Sequence, residues 1–241
     1  MLKLPENFEN YEEARREGFL KVKDLKEKGV PVVGIFCTYT PMELIHAAGA
    51  VAVSLCGTSN GPIHYAEKDL PRNLCPLIKS SYGEAASEKC PYFYFADLLV
   101  GETTCDGKKK MYEILNELKP IHVMHLPQGQ EPDHAFAYWK EELVRLKEKL
   151  EEFFDVKITD EILREEIKER NRERKILMDF YELGKLNPSP ISGSEINETM
   201  EALGFQFDRN AQCEFIAERT KELRNKYEKE LKGSKSDKPR I

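Results

Sequence analysis

The amino-acid sequence predicts a three-layer α/β domain followed by a helical extension. Short apolar runs rich in β-branched residues alternate with amphipathic segments between residues 30 and 127. This alternation is typical of strands that are buried in a parallel sheet and joined by helices. Residues that start and stop helices separate the runs. The second half of the chain then changes to charged sequence with an apolar stripe at helical spacing.

The N-terminal segment predicts a helix that packs on the α/β domain. Residues 6–28 mix apolar side chains with charges at roughly helical spacing, and Gly29 is a typical helix end. We therefore assign residues 1–29 to an N-terminal helix. The run VPVVGIF at 30–36 follows directly and predicts the first strand.

The next segment predicts a strand–helix–strand unit. In TPMELIHAAGA, Thr40 is expected to cap a helix, Pro41 to occupy its first position and Gly49 to end it. The run AVAVSL at 50–55 predicts the second strand. A helix between two strands this close in sequence predicts a βαβ unit with parallel strands.

The same pattern repeats over the following residues. Residues 64–70 and 75–88 are predicted to be helical, and the apolar run FYFADLLVG at 93–101 predicts the third strand. An amphipathic helix over 106–118 and the strand IHVMHL at 121–126 follow. Four buried strands with these helices predict a Rossmann-like α/β domain with a mostly parallel, four-stranded sheet.

The domain organisation follows from these elements. We assign residues 30–130 to the Rossmann-like domain and residues 131–232 to the helical extension, which the loop NPSPISGSE interrupts at 187–195. Residues 233–241 begin as a linker by composition and end in KPRI, which predicts the start of another strand. We therefore expect that a second α/β domain is missing from this sequence.

Composition and charge exclude several classes of protein. The chain of 241 residues carries 37 basic and 43 acidic side chains and a formal net charge of −6. This charge argues against a general nucleic-acid binder, because phosphate binding needs clustered positive charge. No apolar run approaches the ~18 residues of a membrane span, and the charged N-terminus lacks the features of a secretory signal. The expected location is cytoplasmic.

The six cysteines are unevenly distributed along the chain. Five of them lie between residues 37 and 105, and only Cys213 lies in the longer remainder. In a reducing compartment an even count does not imply disulfides, so the simplest interpretation is that each thiol is a small buried hydrophobe. The clustering favours a functional site for the first five. Cys213 lies in a charged helical segment and is interpreted as a core residue or an isolated thiol.

The positions of the clustered cysteines favour a site beyond one edge of the sheet. Cys37, Cys56 and Cys105 follow the first three predicted strands, and open α/β sheets bind ligands beyond the carboxyl ends of their strands. Cys75 and Cys90 each precede a proline, which leaves the sulfur on a loop or a first helical turn. The absence of a CxxC pair argues against a zinc finger or ribbon. Widely spaced loop cysteines are instead expected for an iron–sulfur cluster, with buried structural cysteines as the alternative.

Two other features are less specific. The segment GETTCDGKKK at 101–110 places glycines, threonines and lysines at a helix start that could bind an anion. A solvated basic first turn is the simpler interpretation, because the spacing of a P-loop is absent. Glu43 and Glu102 are candidate acids or bases near strand ends.

Three segments resemble a known protein family. They are GIFCTYTPMELIHAAGA, NLCPLIKSSYG and KCPYFYFADLLVGETTCDGKKKMYEIL. They are similar to the N-terminal half of the 2-hydroxyacyl-CoA dehydratase D-component family (2-hydroxyglutaryl-CoA dehydratase-like), and most similar to its double-cubane cluster protein branch. NPSPISG resembles the family's loop after the helical segment. The resemblance implies two Rossmann-like domains with an iron–sulfur cluster in the cleft between them.

The resemblance also implies site residues and a cofactor. Cys75, in NLCPLIKS, and Cys105, in GETTCDGKK, match the two iron ligands that the family's first domain supplies. Cys90 is expected to be the additional ligand that the double-cubane branch needs. Cys37 and Cys56 match family positions too, either as iron ligands or as packing around the cluster. The implied cofactor is a 4Fe-4S cluster or a double-cubane 8Fe-9S cluster.

The family's chemistry implies a reaction and partners. In the family, a dimeric, ATP-dependent activator protein with its own 4Fe-4S cluster injects one electron at low potential. The electron serves the dehydration of a 2-hydroxyacyl-CoA or the reduction of a small molecule. We then expect this chain to work with its missing second domain or with a second subunit, and to form a dimer. The alternative is a non-catalytic truncated or split domain that only pairs with a separate second half, in which case the chain alone would be inactive.

Overall fold

The protein divides into two compact units, one of residues 21–166 and one of residues 1–20 together with 167–241. The structure is a computed structural model, and it describes residues 7–57, 59–88, 90–129, 131–234 and 236, with side chains from residue 17 onward. The first unit contains the whole β-sheet. The domain boundaries predicted from the sequence stay predictions, and the linker and strand expected over 233–241 lie largely outside the described residues.

Four short strands form a parallel sheet. They are β1 (Val32–Ile35), β2 (Val51–Ser54), β3 (Leu98–Glu102) and β4 (Ile121–Met124). Their order across the sheet is β2-β1-β3-β4, and every neighbouring pair is parallel. From β1 the chain passes to β2 on one side, and it later returns to β3 on the other. The loops after β1 and β3 therefore diverge and leave a crevice at the carboxyl ends of these strands, where α/β sheets commonly bind ligands.

Helices precede and connect the strands. Helix α1 (Asn7–Glu27) comes before the sheet. The helices that follow are α2 (Met42–Ala47), α3 (Ile63–Ala66), α4 (Pro76–Ala86), α5 (Pro91–Phe95), α6 (Asp106–Leu118) and α7 (Pro132–Phe154). The turns that lead into β1 and β2 use glycines with positive φ, since Gly29 follows α1 at φ 79° and Gly49 follows α2 at φ 72°.

Helices cover both faces of the sheet, which confirms the predicted three-layer α/β class. On one face Val33 and Val100 form a buried core with Ile45 of α2 and Leu146 of α7. On the other face α6 packs closely, and the ring centroids of Phe36 and Tyr112 lie 5.5 Å apart. Buried apolar side chains on both faces explain why the strands read as continuous hydrophobic runs.

Two local predictions are corrected by the structure. Helix α2 begins at Met42 with Pro41 as its N-cap residue, so Thr40 does not cap it and its hydroxyl binds elsewhere. Residues 93–95, predicted as the start of the third strand, are the end of α5. Pro91 at the first helical position favours a helix there, and the apolar run continues into β3 without a change in hydrophobicity that would mark the boundary.

The second unit is helical, as the fold class predicts, although α7, assigned to the extension from the sequence, belongs to the first unit. Its elements are α1 as far as Leu20, α8 (Asp160–Tyr181), the 3-10 turn Glu182–Lys185, α9 (Gly193–Leu203), α10 (Arg209–Lys226) and the π-helical turn Tyr227–Leu231, the first residues of α8 belonging to the first unit. Its core consists of Phe180, Leu183, Ile191, Ile216 and Leu223. Glu173 of α8 is buried and accepts hydrogen bonds from Arg170 and Arg209. Within the described ranges, none of the helices has the length and apolar character to cross a membrane.

Candidate functional site

Three of the predicted cysteines lie just beyond the carboxyl ends of the strands, at one edge of the sheet. Cys37 lies two residues after β1, Cys56 two residues after β2 and Cys105 three residues after β3. Because all the strands are parallel, their carboxyl ends share an edge. As whole residues, Cys56 and Cys105 are exposed there and Cys37 is half-buried.

Cys75 and Cys105 are the residues immediately before two helices. Cys75 precedes α4 and Cys105 precedes α6, both are exposed, and neither side chain caps its helix. The first backbone N–H groups of each helix, which in α4 begin after Pro76, therefore receive no acceptor from the N-cap side chain, and they form the positive end of the helix dipole. The sulfur atoms of an iron–sulfur cluster accept hydrogen bonds from such donors.

The absence of a side chain at Gly107 brings these two helix starts together. A Cβ atom at this position would lie 2.6 Å from Cδ1 of Ile78 and 2.9 Å from Cδ1 of Leu74. Gly107 belongs to the first turn of α6, two residues after Cys105, and Leu74 directly precedes Cys75. The packing of α6 against α4 thus draws the two thiol-bearing residues to the same region of the sheet edge.

Cys90 lies away from this pair. It follows the far end of α4, whose 11 residues correspond to ~16 Å of helix. Its side chain is 8% exposed, and its sulfur accepts a hydrogen bond from the N–H of Phe93 at 3.4 Å, so it caps α5. After α5 the chain reaches the amino ends of the strands, where the Asp97 N–H donates to the carbonyl of Val32 at 2.8 Å. The predicted ligand role of Cys90 stays a prediction, and this placement favours a capping role.

The donor set fits an iron–sulfur cluster in part. Cys75 and Cys105 offer thiols, which are the usual iron ligands of such clusters, and the backbone N–H groups beside them can donate hydrogen bonds to cluster sulfur atoms. Across the part of the chain that the structure describes, no three His, Cys, Asp or Glu residues gather closely enough to hold a metal ion. Further ligands would have to come from other residues. Cys213 is not a candidate, because it is buried in α10 and desolvation raises the pKa of its thiol.

The carbonyl of Phe36 joins the loops after β1 and β2 to α6. The Cys56 thiol donates to this oxygen at 3.0 Å, and the Lys108 ammonium donates to it at 3.2 Å. Lys108 is buried, although the sequence suggested a solvated basic turn. Burial raises the pKa of the Cys56 thiol, and the positive charge of Lys108 opposes that effect.

A buried carboxylate lies between the loops after β1 and β3. Glu102, the last residue of β3, has no exposed surface, and its Oε1 accepts a hydrogen bond from the Thr40 hydroxyl at 2.5 Å. Its Oε2 has no hydrogen-bond partner among the described residues. The Tyr112 hydroxyl donates to the backbone carbonyl of Glu102 at 3.3 Å. Burial, together with the charge of Glu102, raises the pKa of the Tyr112 hydroxyl. The Thr40–Glu102 contact therefore links the two loops that form the crevice.

Sequence reasoning identified Glu102 as a candidate acid or base but assigned Thr40 to a helix cap. A threonine before a proline carries a strong capping signal, and nothing in the local sequence indicates a partner 62 residues away. The pair forms because β1 and β3 are neighbours in the sheet, and the local sequence does not indicate this strand order.

Comparison with known proteins gives the family. The model of 2-hydroxyglutaryl-CoA dehydratase, D-component, matches residues 37–241. The chain is 52% identical over 239 residues to the Escherichia coli (strain K12) protein named "Putative dehydratase subunit YjiM", a match that covers 99% of this chain and 62% of that protein. It is 27% identical over 175 residues to a benzoyl-CoA reductase subunit of Thauera aromatica, which covers 71% of this chain and 45% of the relative.

A further relative is the (R)-phenyllactyl-CoA dehydratase beta subunit of Clostridium sporogenes, 24% identical over 217 residues, or 89% of this chain and 57% of that protein. The chain spans less than two thirds of the length of each of these relatives. The family match itself begins at Cys37 and includes the cysteines that follow each of the first three strands. The protein therefore belongs to the 2-hydroxyglutaryl-CoA dehydratase D-component family, as its motifs predicted.

Proposed function

We propose that this protein is the iron–sulfur cluster-binding part of a 2-hydroxyacyl-CoA dehydratase-type protein, with Cys75 and Cys105 as iron ligands. The observation that supports this proposal is the pairing of two exposed thiols at the uncapped starts of α4 and α6. Gly107 allows these helix starts to pack closely, at the edge where α/β sheets bind ligands. Thiolates are the usual ligands of iron in such clusters.

The role of the chain is to hold and orient the cluster. When bound, the cluster supplies one-electron transfer at a low potential. Cys75 and Cys105 would hold it at the sheet edge, and the N–H groups of the first turns of α4 and α6 would donate to its sulfur atoms and help set its potential. We propose that the remaining ligands belong to a second domain or a second subunit, and that the cluster is a 4Fe-4S or a double-cubane cluster.

The reaction and the partners are proposed from the family. Relatives are named as subunits of CoA-ester dehydratases and of a CoA-ester reductase. We propose that an ATP-dependent activator protein with its own 4Fe-4S cluster delivers the electron in the cytoplasm, and that the assembly is a dimer. The electron would serve either the dehydration of a 2-hydroxyacyl-CoA or the reduction of a small molecule.

Iron and sulfide content test the ligand assignment. The chain is reconstituted with iron and sulfide under anaerobic conditions, and bound iron is measured after desalting. We expect the variant with Cys75→Ser and Cys105→Ser to lose most of the bound iron, because both proposed ligands are gone. Cys213→Ser is the matched control and should keep its iron, since that thiol is buried in α10. Unchanged iron in the double variant would contradict the proposal.

Cys90→Ser, measured in the same assay, separates the two roles of that residue. A capping residue predicts unchanged iron with a less stable α5, because the hydrogen bond from Phe93 is weakened. An iron ligand predicts a loss of iron comparable to that of Cys75→Ser. The structure favours the first result, since Cys90 lies beyond the far end of α4.

The second candidate function is a non-catalytic domain that only pairs with a separate second half. It is favoured by the observation that no three metal-ligating side chains gather in the described ranges. The visible absorption spectrum and size-exclusion chromatography separate the two candidates. A chain that stays colourless and monomeric after reconstitution would support the pairing domain, whereas a brown chain that loses its colour with Cys75 and Cys105 supports cluster binding.

A further inference from the structure

Cys37 and Cys56 form a pair that the proposed iron ligands do not include. Strands β1 and β2 are parallel, and Ile35 lies opposite Ser54 in their register. The pairing continues beyond the strands, because the N–H of Leu55 donates to the carbonyl of Ile35 at 2.9 Å. Each cysteine lies two residues beyond the end of its strand, and neighbouring strands of a sheet lie about 4.8 Å apart.

This placement suits a disulfide. The Cα atoms of disulfide-bonded cysteines usually lie roughly 4.4–6.8 Å apart, and their Cβ atoms must point towards each other's side. The sulfur of Cys56 already lies 3.0 Å from the carbonyl oxygen of Phe36, the residue before Cys37. Burial is the main cause that raises the pKa of the Cys56 thiol, and the nearby Cys37 adds a smaller rise.

The pair is accessible from solvent and lies beside a buried cation. Cys56 is exposed and Cys37 half-buried, so a small reagent can reach the pair. The ammonium of Lys108 donates to the same Phe36 carbonyl that accepts from Cys56, which places a buried cation beside the thiol. This cation opposes the burial that raises the pKa of the Cys56 thiol, and the thiolate is the form that attacks disulfides.

We propose that Cys37 and Cys56 are a redox-active dithiol that is oxidised to a disulfide by low-molecular-weight disulfides. The thiolate of Cys56, the more exposed residue, attacks one sulfur of the reagent, whose S–S bond breaks and releases one thiolate. The thiolate of Cys37 then attacks the Cys56 sulfur, forms the S–S bond between the two residues and releases the second reagent thiolate. The two protein protons pass to the two reagent thiolates, and the two electrons lost by the protein reduce the reagent.

This inference does not rest on the proposed function, because it leaves Cys75 and Cys105 to iron. Those two thiols lie at the starts of α4 and α6, whereas Cys37 and Cys56 follow neighbouring strands β1 and β2. The dithiol would be oxidised or reduced by small thiols and disulfides, whereas the iron site would receive an electron from an electron donor. Loss of iron in the ligand variants and loss of the disulfide are therefore separate results.

Peptide mapping of the full chain tests the pair. The reduced, metal-free chain is incubated with glutathione disulfide, free thiols are alkylated, and the protein is cleaved after glutamate. Glu43 lies between the two cysteines, so the cleavage separates their peptides, whereas trypsin would leave them on one peptide. We expect a linked pair of peptides that contains Cys37 and Cys56, with a mass lower by two hydrogens and the loss of both alkylation sites. Dithiothreitol should restore both sites.

Two variants and a folding check make the test specific. In Cys37→Ser the linked peptides should disappear, and Cys213→Ser should keep them. The fluorescence of Trp139, the single tryptophan, reports that the chain is folded during oxidation. Alkylation of both Cys37 and Cys56 after the oxidant would overturn the proposal, as would a disulfide that forms only in urea or one that joins Cys75 to another residue.

Discussion

Removal of the Thr40 hydroxyl should destabilise the sheet-containing unit. Thr40→Val replaces the hydroxyl with a methyl group of similar size at a site that is 4% exposed. The Glu102 carboxylate would then have no hydrogen-bond partner for either oxygen among the described residues. Hydrogen bonds to charged groups contribute about 1.5–3 kcal/mol, and an unsatisfied buried group lies at the upper end of that range. We expect the free energy of unfolding to fall by about 2–3 kcal/mol.

Urea unfolding followed by tryptophan fluorescence measures this loss. Trp139 is the single tryptophan and packs against the core between the sheet and α7, so its signal reports on the first unit. With a slope of about 2 kcal/mol per molar urea, the unfolding midpoint should fall by about 1 M or slightly more. Thr40→Ser is the control, since it keeps the hydroxyl and should lose far less.

A double-mutant cycle with Glu102→Gln isolates the contact. If the Thr40 hydroxyl acts through the carboxylate, Thr40→Val should cost less in the Glu102→Gln background, because the acceptor is then neutral. The reasoning is refuted if Thr40→Val lowers the stability by less than about 0.5 kcal/mol at an unchanged slope, which is the range of ordinary surface substitutions. It is equally refuted if the two substitutions add without coupling.

Two further predictions concern packing and charge. Gly101→Ala should lower the stability of the first unit by about 1–3 kcal/mol, because the new Cβ would lie 2.6 Å from Cε1 of Tyr112; Gly184→Ala, which meets nothing within 4 Å, should be nearly neutral in the same urea assay. Burial opposes the ionisation of Glu173, but hydrogen bonds from its two arginine partners outweigh that effect and lower the pKa of the carboxyl group. The ionised carboxylate therefore stabilises the folded state above the unfolded pKa of about 4.3, and this stabilisation is lost as the pH falls through the lower pKa of the folded state. Glu173→Gln should therefore lower the free energy of unfolding of the second unit near neutral pH by about 3 kcal/mol. The free energy of unfolding of this variant should also fall less between neutral and acid pH, as measured by circular dichroism in urea. A fall equal to that of the unchanged chain would contradict this prediction.

The secondary structure was largely predictable because helix and strand periods are local properties. The helix over 106–118 was predicted at its observed bounds, since its apolar face and Asp106 at its start are both visible in sequence. Phe93 to Phe95 were assigned to a strand because short apolar runs do not distinguish a strand from a buried helical turn. Pro91 was the signal that could have separated them.

The candidate site was predictable only in part, because its members come from distant segments. The cysteines after β1, β2 and β3 were correctly expected at one edge, since parallel strands share their carboxyl ends. The closeness of the Cys75 and Cys105 helix starts depends on the packing of Gly107 against Leu74, and Lys108 is buried by tertiary contacts with the Phe36 carbonyl. Neither contact leaves a mark in the local sequence.

The uncapped starts of α4 and α6 lie in a chain whose formal net charge is −6. An anion that approaches from beyond the Debye length, about 10 Å at 0.1 M ionic strength, meets mainly the negative charge of the whole chain. Within the first turn of either helix it meets the positive N–H ends instead. Added salt should consequently speed the encounter with an anionic ligand, because the repulsion acts at long range and is screened first. The attraction at the helix ends is itself screened by salt at exposed positions, so added salt should speed the approach of the anion and weaken its binding at the same time.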